Sequence, residues 1–284
     1  MRNLSGKNVF ITGGASGIGL ATAEELIRKG ANILIFDNNP EAINIALDHL
    51  KVLAREKNVS CEAKEGDVTD FESIKRAVDD MEERGKPVDL LITSAGIAHP
   101  GALFELDVDI IKRTIDIDLL GTMYACRAVL PGMVKRGGDF HIALISSVAG
   151  VLGVYGYSAY GAAKFGVHGL GEVLLQELKP YNIPVTVIFP PDTDTPQLAY
   201  ESKFKPDATK AISGTIKPVS AKYVAKCLIR GIEKEKFQVI PTFSGKMTVF
   251  AAKMFGPLLR WYLAQTVLKV EKKRLYNNKN GGVK

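Results

Sequence analysis

Over the first 190 residues, short β-branched runs alternate with longer stretches of helical spacing, the rhythm of βαβ units that feed a parallel sheet. The apolar runs predict seven strands, at residues 8 to 12, 31 to 36, 59 to 68, 88 to 93, 140 to 146, 185 to 189 and 237 to 241. Between them lie helical patterns. In ATAEELIRKG, residues 21 to 30, Ala23, Leu26 and Ile27 share one face and Gly30 supplies a stop. The expected fold is α/β, a doubly wound seven-stranded parallel sheet with helices on both faces, forming one domain over residues 1 to 243.

Two later segments break the rhythm. A Pro-, Asp- and Thr-rich stretch of about residues 190 to 218 is longer than an ordinary connection, and is read as a substrate loop. Residues 244 to 284 form a tail. Its charges Lys246, Lys253 and Arg260 recur every seventh position among apolar residues, so an amphipathic helical tail is expected, kinked or divided at Pro257. No uncharged run in it reaches the roughly 18 residues a spanning helix needs. Two readings stay open: a helix in the membrane interface with Trp261 and Tyr262 at headgroup level, or a helix packed on the domain or on a neighbouring subunit.

With 284 residues, 46% of them hydrophobic and 24% charged, the chain is an ordinary globular protein, which excludes disordered, collagen-like and coiled-coil readings. Charge changes the picture more than composition does. The net +6 divides into +8 from Lys246 onward and −2 over the rest, a basic appendage on a near-neutral body. This suits anionic lipid or an acidic partner and argues against a nucleic-acid-binding core. Cys61, Cys126 and Cys227 form neither a disulfide framework nor a metal knuckle, and no secretory signal opens the chain. The expected location is cytoplasmic, peripheral on the cytoplasmic membrane face. His49, His99, His141 and His168 are scattered, so no metal site is expected, although His99 lies near the expected mouth of the site.

The chemistry sits at two places. TGGASGIG, Thr12 to Gly19, follows the first strand and opens the first helix, the setting in which glycines let main chain approach a pyrophosphate and a helix N-terminus receives it. A tight strand-to-helix turn is its plainer reading. Asp37 ends the second strand, 18 residues after Gly19, where a carboxylate can accept hydrogen bonds from both ribose hydroxyls of NAD and would repel a 2′-phosphate. Farther on, Ser147, Tyr160 and Lys164 give S-x12-Y-x3-K. Tyr160 and Lys164 share a helical face, and Ser147 follows the fifth strand at the carboxyl edge where ligands of open α/β sheets bind. A phenol beside an ammonium can act as general acid to a carbonyl or base to an alcohol, with Ser147 bonding the reacting oxygen.

These motifs together resemble the short-chain dehydrogenases and reductases, whose TGxxxGxG pattern matches Gly13, Gly17 and Gly19. The resemblance covers about residues 5 to 242 and implies a Rossmann-like fold, a nicotinamide cofactor and a homodimer or homotetramer, with interfaces around 103 to 137 and 157 to 179. It implies cofactor contacts from Thr12, Ser16, Ile18, Asp67, Val68, Ala95, Gly96, Pro190, Thr193 and Thr195, and from Lys164 on the nicotinamide ribose. Two departures stand out: TSAG at residues 93 to 96 where the family commonly has NNAG, and Asp118 where it often has an Asn that supports a proton relay. Asp118 joins the catalytic set on that footing, and its charge would favour a protonated Lys164. PPDTDTP, with KPDATKAIS and the apolar tail behind it, resembles the 3-ketodihydrosphingosine reductases. That resemblance implies a long-chain keto lipid as substrate, NADPH as cofactor and a membrane setting, whereas Asp37 favours NAD(H). A generic alcohol dehydrogenase of the family, acting on another lipid, a steroid or a small alcohol, and a non-catalytic dinucleotide-binding regulatory protein are the alternatives.

Overall fold

The computed structural model describes residue 1, residues 3–213 and residues 217–280. Seven strands form one parallel sheet: β1 (Asn8–Thr12), β2 (Asn32–Asp37), β3 (Cys61–Glu65), β4 (Leu90–Thr93), β5 (His141–Ile145), β6 (Val185–Ile188) and, past a two-stranded ribbon, β9 (Gln238–Val239). The order β3-β2-β1-β4-β5-β6-β9 is doubly wound, as expected. β1, β4, β5 and β6 are almost wholly buried, because helices cover both faces. The switch in strand order lies between β1 and β4, where Thr12 is in register with Thr93, so a crevice must open at their carboxyl ends.

One face of the sheet packs on α1 (Gly17–Arg28), α2 (Pro40–Lys57) and α9 (Ala221–Glu233), through Leu26, Ile27, Leu50 and Leu228. The other packs on α3 (Phe71–Glu83), α5 (Gly121–Arg136) and α6 (Ser158–Glu177), through Ile74, Val129, Met133 and Val167. The sequence explains where the helices begin. Asn39 accepts from Ala42 N ahead of α2, with Pro40 at the first turn, and Asp70 accepts from Glu72 N ahead of α3. The third strand is shorter than the 59 to 68 expected, because after Gly66 N donates to Asp37 O the chain turns, and Asp70 N donates to Asp67 O.

Two features were not foreseen. α4 (Val108–Ile115) runs into α5 without a break, through a turn of π-helix at Asp116–Leu120. Within the substrate loop region β7 (Thr193–Asp194) pairs in parallel with β8 (Val219–Ser220), and α7 (Pro196–Glu201) and α8 (Asp207–Ser213) lie between them in the chain. The tail is divided where Pro257 suggested, into α10 (Phe243–Met254) and α11 (Gly256–Asn280). Pro257 sits in the first turn of α11, where its missing N–H deprives the helix of nothing. α11 packs against α8, so the tail leans on the substrate loop.

Candidate active site

A single cavity of about 770 Å³ runs from Asp37, past Tyr160, to Leu259 and Leu263 of α11. At its nucleotide end the surface is main chain. The helix α1 carries no side-chain cap, since the Ser16 hydroxyl bonds none of the first N–H groups, and Ser16, Gly17 and Ile18 all line the cavity. Free N–H groups and the positive end of the helix dipole make that turn a phosphate seat. Glycine is required there for two different reasons. Gly17 has φ +53°, and any Cβ on Gly19 would lie 2.1 Å from the Gly13 carbonyl oxygen. The Asp37 carboxylate is fixed by Ala15 N at 3.1 Å and Asn39 N at 3.2 Å. Gly13, Asp67, Val68, Ala95, Gly96, Pro190, Thr193 and Thr195 also line the cavity. Thr12 and Gly19 do not. Thr12 acts from beneath, its hydroxyl accepting from Ser94 N and Ala95 N, and Gly19 gives Gly13 its room. The residues thus fit a nicotinamide dinucleotide: a vacant helix N-terminus for the pyrophosphate, Asp37 for a ribose and Lys164 at the far end.

Ser147, Tyr160 and Lys164 meet in the middle of the cavity. Ser147 follows β5 and Tyr160 and Lys164 stand on α6, with the Lys164 Nζ 5.5 Å from the Tyr160 ring centre. Ser146, one residue before Ser147, donates to Lys164 O at 2.8 Å and ties the two elements together. Burial pushes the Tyr160 phenol above its ordinary range, the charge of Asp118 and then that of Glu201 add to this, and Ser147 pulls it the other way. The phenol is therefore held protonated, the state a general acid needs.

Asp118 is placed otherwise than in the catalytic set. It is fully buried on the π-helical turn and does not line the cavity. Its Oδ2 lies 3.1 Å from Lys164 Nζ, and its Oδ1 accepts from Ile97 N at 2.8 Å. Burial pushes its carboxyl up while the Lys164 charge opposes the shift. Asp118 thus acts on Lys164 and is a positioning residue. The extra residue of a π turn is what aims it at Lys164. His99 is not among the lining residues either; its Nδ1 lies 2.8 Å from the Tyr200 hydroxyl and its ring packs on Phe204.

At the other end of the cavity the substrate loop was expected, but its individual lining residues were not singled out by the sequence. Tyr157, just ahead of α6, Gln197, Glu201 and Ile212 of the loop region, and Leu259 and Leu263 of the tail complete its wall. Nothing in the spacing of α7 or α11 separates these from ordinary helix positions.

The family model described as short chain dehydrogenase matches residues 7–205. The chain belongs to the short-chain dehydrogenase family. Among its relatives, a 3-ketodihydrosphingosine reductase of Dictyostelium discoideum is 35% identical over 277 residues, covering 90% of this chain and 83% of that one. A 3-dehydrosphinganine reductase of Danio rerio is 37% identical over 235 residues, covering 82% and 70%. A crystal structure of a short-chain dehydrogenase/reductase from Burkholderia phymatum in complex with NAD superposes with a TM-score of 0.80 at 23% identity, covering 91% of this chain and 97% of that one. It shares the fold of this family member.

Proposed function

We propose that the protein reduces the ketone of a long-chain 3-keto sphingoid base to the alcohol, using a reduced nicotinamide dinucleotide. The observation that carries this reading is the single cavity that joins a dinucleotide cradle, the Ser147, Tyr160 and Lys164 group, and an apolar wall from α11. The relatives named for that reaction align over most of the chain. The reduced nicotinamide supplies the hydride to the carbonyl carbon. Ser147 positions the carbonyl oxygen, and Tyr160 delivers its proton to that oxygen as the C–O bond becomes single. Lys164, held by Asp118 and donating to Ile145 O at 3.3 Å, keeps a positive charge under the phenol as its proton leaves.

The cofactor is assigned as NADH. Asp37 and Asp67 line the ribose end, and Lys164 is the sole Lys or Arg lining the cavity among the described residues, so nothing there offsets a 2′-phosphate. The tail is assigned to the membrane interface. Phe250, Met254, Leu258, Trp261 and Tyr262 of α10 and α11 are each more than half exposed, beside the exposed basic residues Lys246, Lys253 and Arg260. On this reading the enzyme is assigned a peripheral position in a reducing compartment, in which Cys61, Cys126 and Cys227 would stay free. Self-association is assigned to α5 and α6, where Met123, Phe165 and Val173 are exposed.

The test is oxidation of NADH and NADPH, run in parallel, by purified protein with 3-ketodihydrosphingosine. Turnover that is faster with NADH is expected. Binding of a dinucleotide without turnover would remove the substrate assignment, and faster turnover with NADPH would remove the role given to Asp37.

A further inference from the structure

Beside Tyr160 the cavity wall carries a charge that its own residues do not balance. Glu201, at the end of α7, is 7% exposed and lines the cavity. Its Oε2 accepts from the Tyr157 hydroxyl at 2.6 Å and its Oε1 from Gln197 Nε2 at 2.9 Å. Both donors are neutral. The neighbouring Asp192 is paired with Lys205 at 2.9 Å, and Asp118 with Lys164 at 3.1 Å. Each of those carboxylates has its own cation. Among the described residues Glu201 has no ion pair of its own: Lys205, whose charge does reach it, lies 6.0 Å from the Tyr157 ring centre and is bonded to Asp192.

A buried carboxylate without a counter-cation is costly unless something supplies one. Burial accordingly pushes the Glu201 carboxyl above the usual carboxylate range, and its hydrogen bonds to Tyr157 and Gln197, with the more distant charge of Lys205, only partly oppose this. A carboxylate has about four lone-pair positions, so two donors leave it able to accept from a third. Its position relative to the reacting group is set by Tyr157, whose ring centre lies 5.6 Å from that of Tyr160. A ketone held at Tyr160 has a carbon on either side, and one of the two can lie on the side of Tyr157 and Glu201. On the reading of the substrate given above, one of the two bears an amine.

We propose that Glu201 is the specificity-determining carboxylate of this site and receives the ammonium group that the substrate carries on the carbon beside its ketone. The inference rests on the sphingoid reading and gives it a residue. Tyr157 and Gln197 hold the carboxylate in place, and the Lys205 and Asp192 pair keeps a second cation from occupying it. The ammonium in turn offsets the negative charge that Glu201 presents to Tyr160. An acyl chain with a plain ketone fits the same apolar wall but leaves Glu201 without its partner, so the site discriminates by the amine and not by chain length alone.

The experiment compares kcat/KM for 3-ketodihydrosphingosine with kcat/KM for the same chain in which hydrogen replaces the amine. It uses the full-length protein as wild type and as Glu201→Gln. The wild type is expected to prefer the amine by at least about 30-fold, and Glu201→Gln is expected to abolish most of that preference, chiefly through KM. Because the wild-type preference needs no variant, a Glu201→Gln protein that failed to fold would leave a decisive measurement standing. Wild type active on both ketones without preference would overturn this inference alone. Equal losses on both ketones in a folded Glu201→Gln protein would also overturn it, making Glu201 a structural part of the loop. Wild type idle on both ketones would overturn the substrate reading and this inference with it.

Discussion

Between Gly13 and Gly96 the cavity is walled by the glycine turn and the main chain around the strand ends, with the Asp37 carboxylate at the ribose, and between Tyr157 and Leu263 larger side chains line it. The first wall is held by the sheet: Thr12 and Thr93 are in register, and the N-terminus of α1 is aimed by the strand before it. The second is built from two short helices of the substrate loop region and a two-part tail. A main-chain wall recognises what every dinucleotide has in common. A side-chain wall can be changed one residue at a time without disturbing the sheet, so the ketone is chosen at that end.

The sharpest break in this comparison lies at the junction of the two walls. Tyr160→Phe removes the proton donor and leaves both walls in place. General acid catalysis contributes about 10²- to 10⁴-fold, so kcat is expected to fall about 10³-fold. Affinity for NADH, measured by fluorescence titration, is expected to stay within about threefold, since the dipole end of α1 and Asp37 are untouched. A comparable loss of NADH affinity would show that Tyr160 holds the cofactor more than the proton.

Gly19→Ala tests the main-chain wall next. The added methyl meets the Gly13 carbonyl oxygen at 2.1 Å and carbon at 2.9 Å, and main chain in a strand-to-helix turn has little room to give. Overpacking of this kind costs about 1 to 3 kcal/mol. The expected result is a lower thermal midpoint together with at least about tenfold weaker NADH binding, about 1.4 kcal/mol. At the other wall, Leu263→Ala trims a half-buried side chain and is expected to raise KM for long-chain ketones while NADH binding is unmoved. If both substitutions moved both ligands, the two walls would not be separable.

The contrast also explains what could be read from the sequence. Strands such as β1 and β5 are legible because a sheet buried on both faces leaves its residues little choice. The glycine turn and the Ser147, Tyr160 and Lys164 spacing are legible because local geometry fixes each relation: a turn, one strand end and one helical face. Glu201 was not legible, since its neighbours Tyr157 and Asp192 come from other segments and meet it only through the tertiary fold. Asp118 was legible as a departure whose charge bears on Lys164, but the turn that carries it was not. Helical periodicity assumes 3.6 residues per turn, and the π turn at Asp116–Leu120 breaks that assumption where Asp118 sits.

Asp118→Asn sharpens the junction by a smaller effect. The negative charge of Asp118 disfavours the Tyr160 phenolate, so it raises the phenol's pKa. Removing that charge lowers it. In ketone reduction the phenol must be protonated, so the alkaline fall of kcat/KM is expected to move to lower pH by about one unit. In alcohol oxidation, where the phenolate is the base, the rise in rate moves to lower pH as well. A profile that stays in place while kcat falls would assign Asp118 to holding Lys164 in position and not to setting the field at Tyr160.

The smallest effect on chemistry is expected where the tail faces outward, and it separates the two sides of α11. Leu259 and Leu263 line the cavity, whereas Leu258 and Trp261 are 63% and 60% exposed and do not. A helix that served only to close the cavity would have no reason to present leucine and tryptophan to water beside Arg260. Burying such side chains in an interface is worth about 1.5 to 3 kcal/mol each when complete, and less at headgroup depth. Leu258→Ser with Trp261→Ser is therefore expected to lower the fraction bound to anionic phospholipid vesicles in sedimentation, and to slow reduction of vesicle-borne ketone a few-fold. Turnover of a short, dissolved 3-ketone should be unchanged, because the lining face is intact. If vesicle binding were unaltered and the protein instead lost a subunit contact, the outward face of α11 would belong to a second copy of the chain. The apolar residues between the charges of the tail would then be an interface between proteins, and long-chain substrate would have to reach Tyr160 through solution.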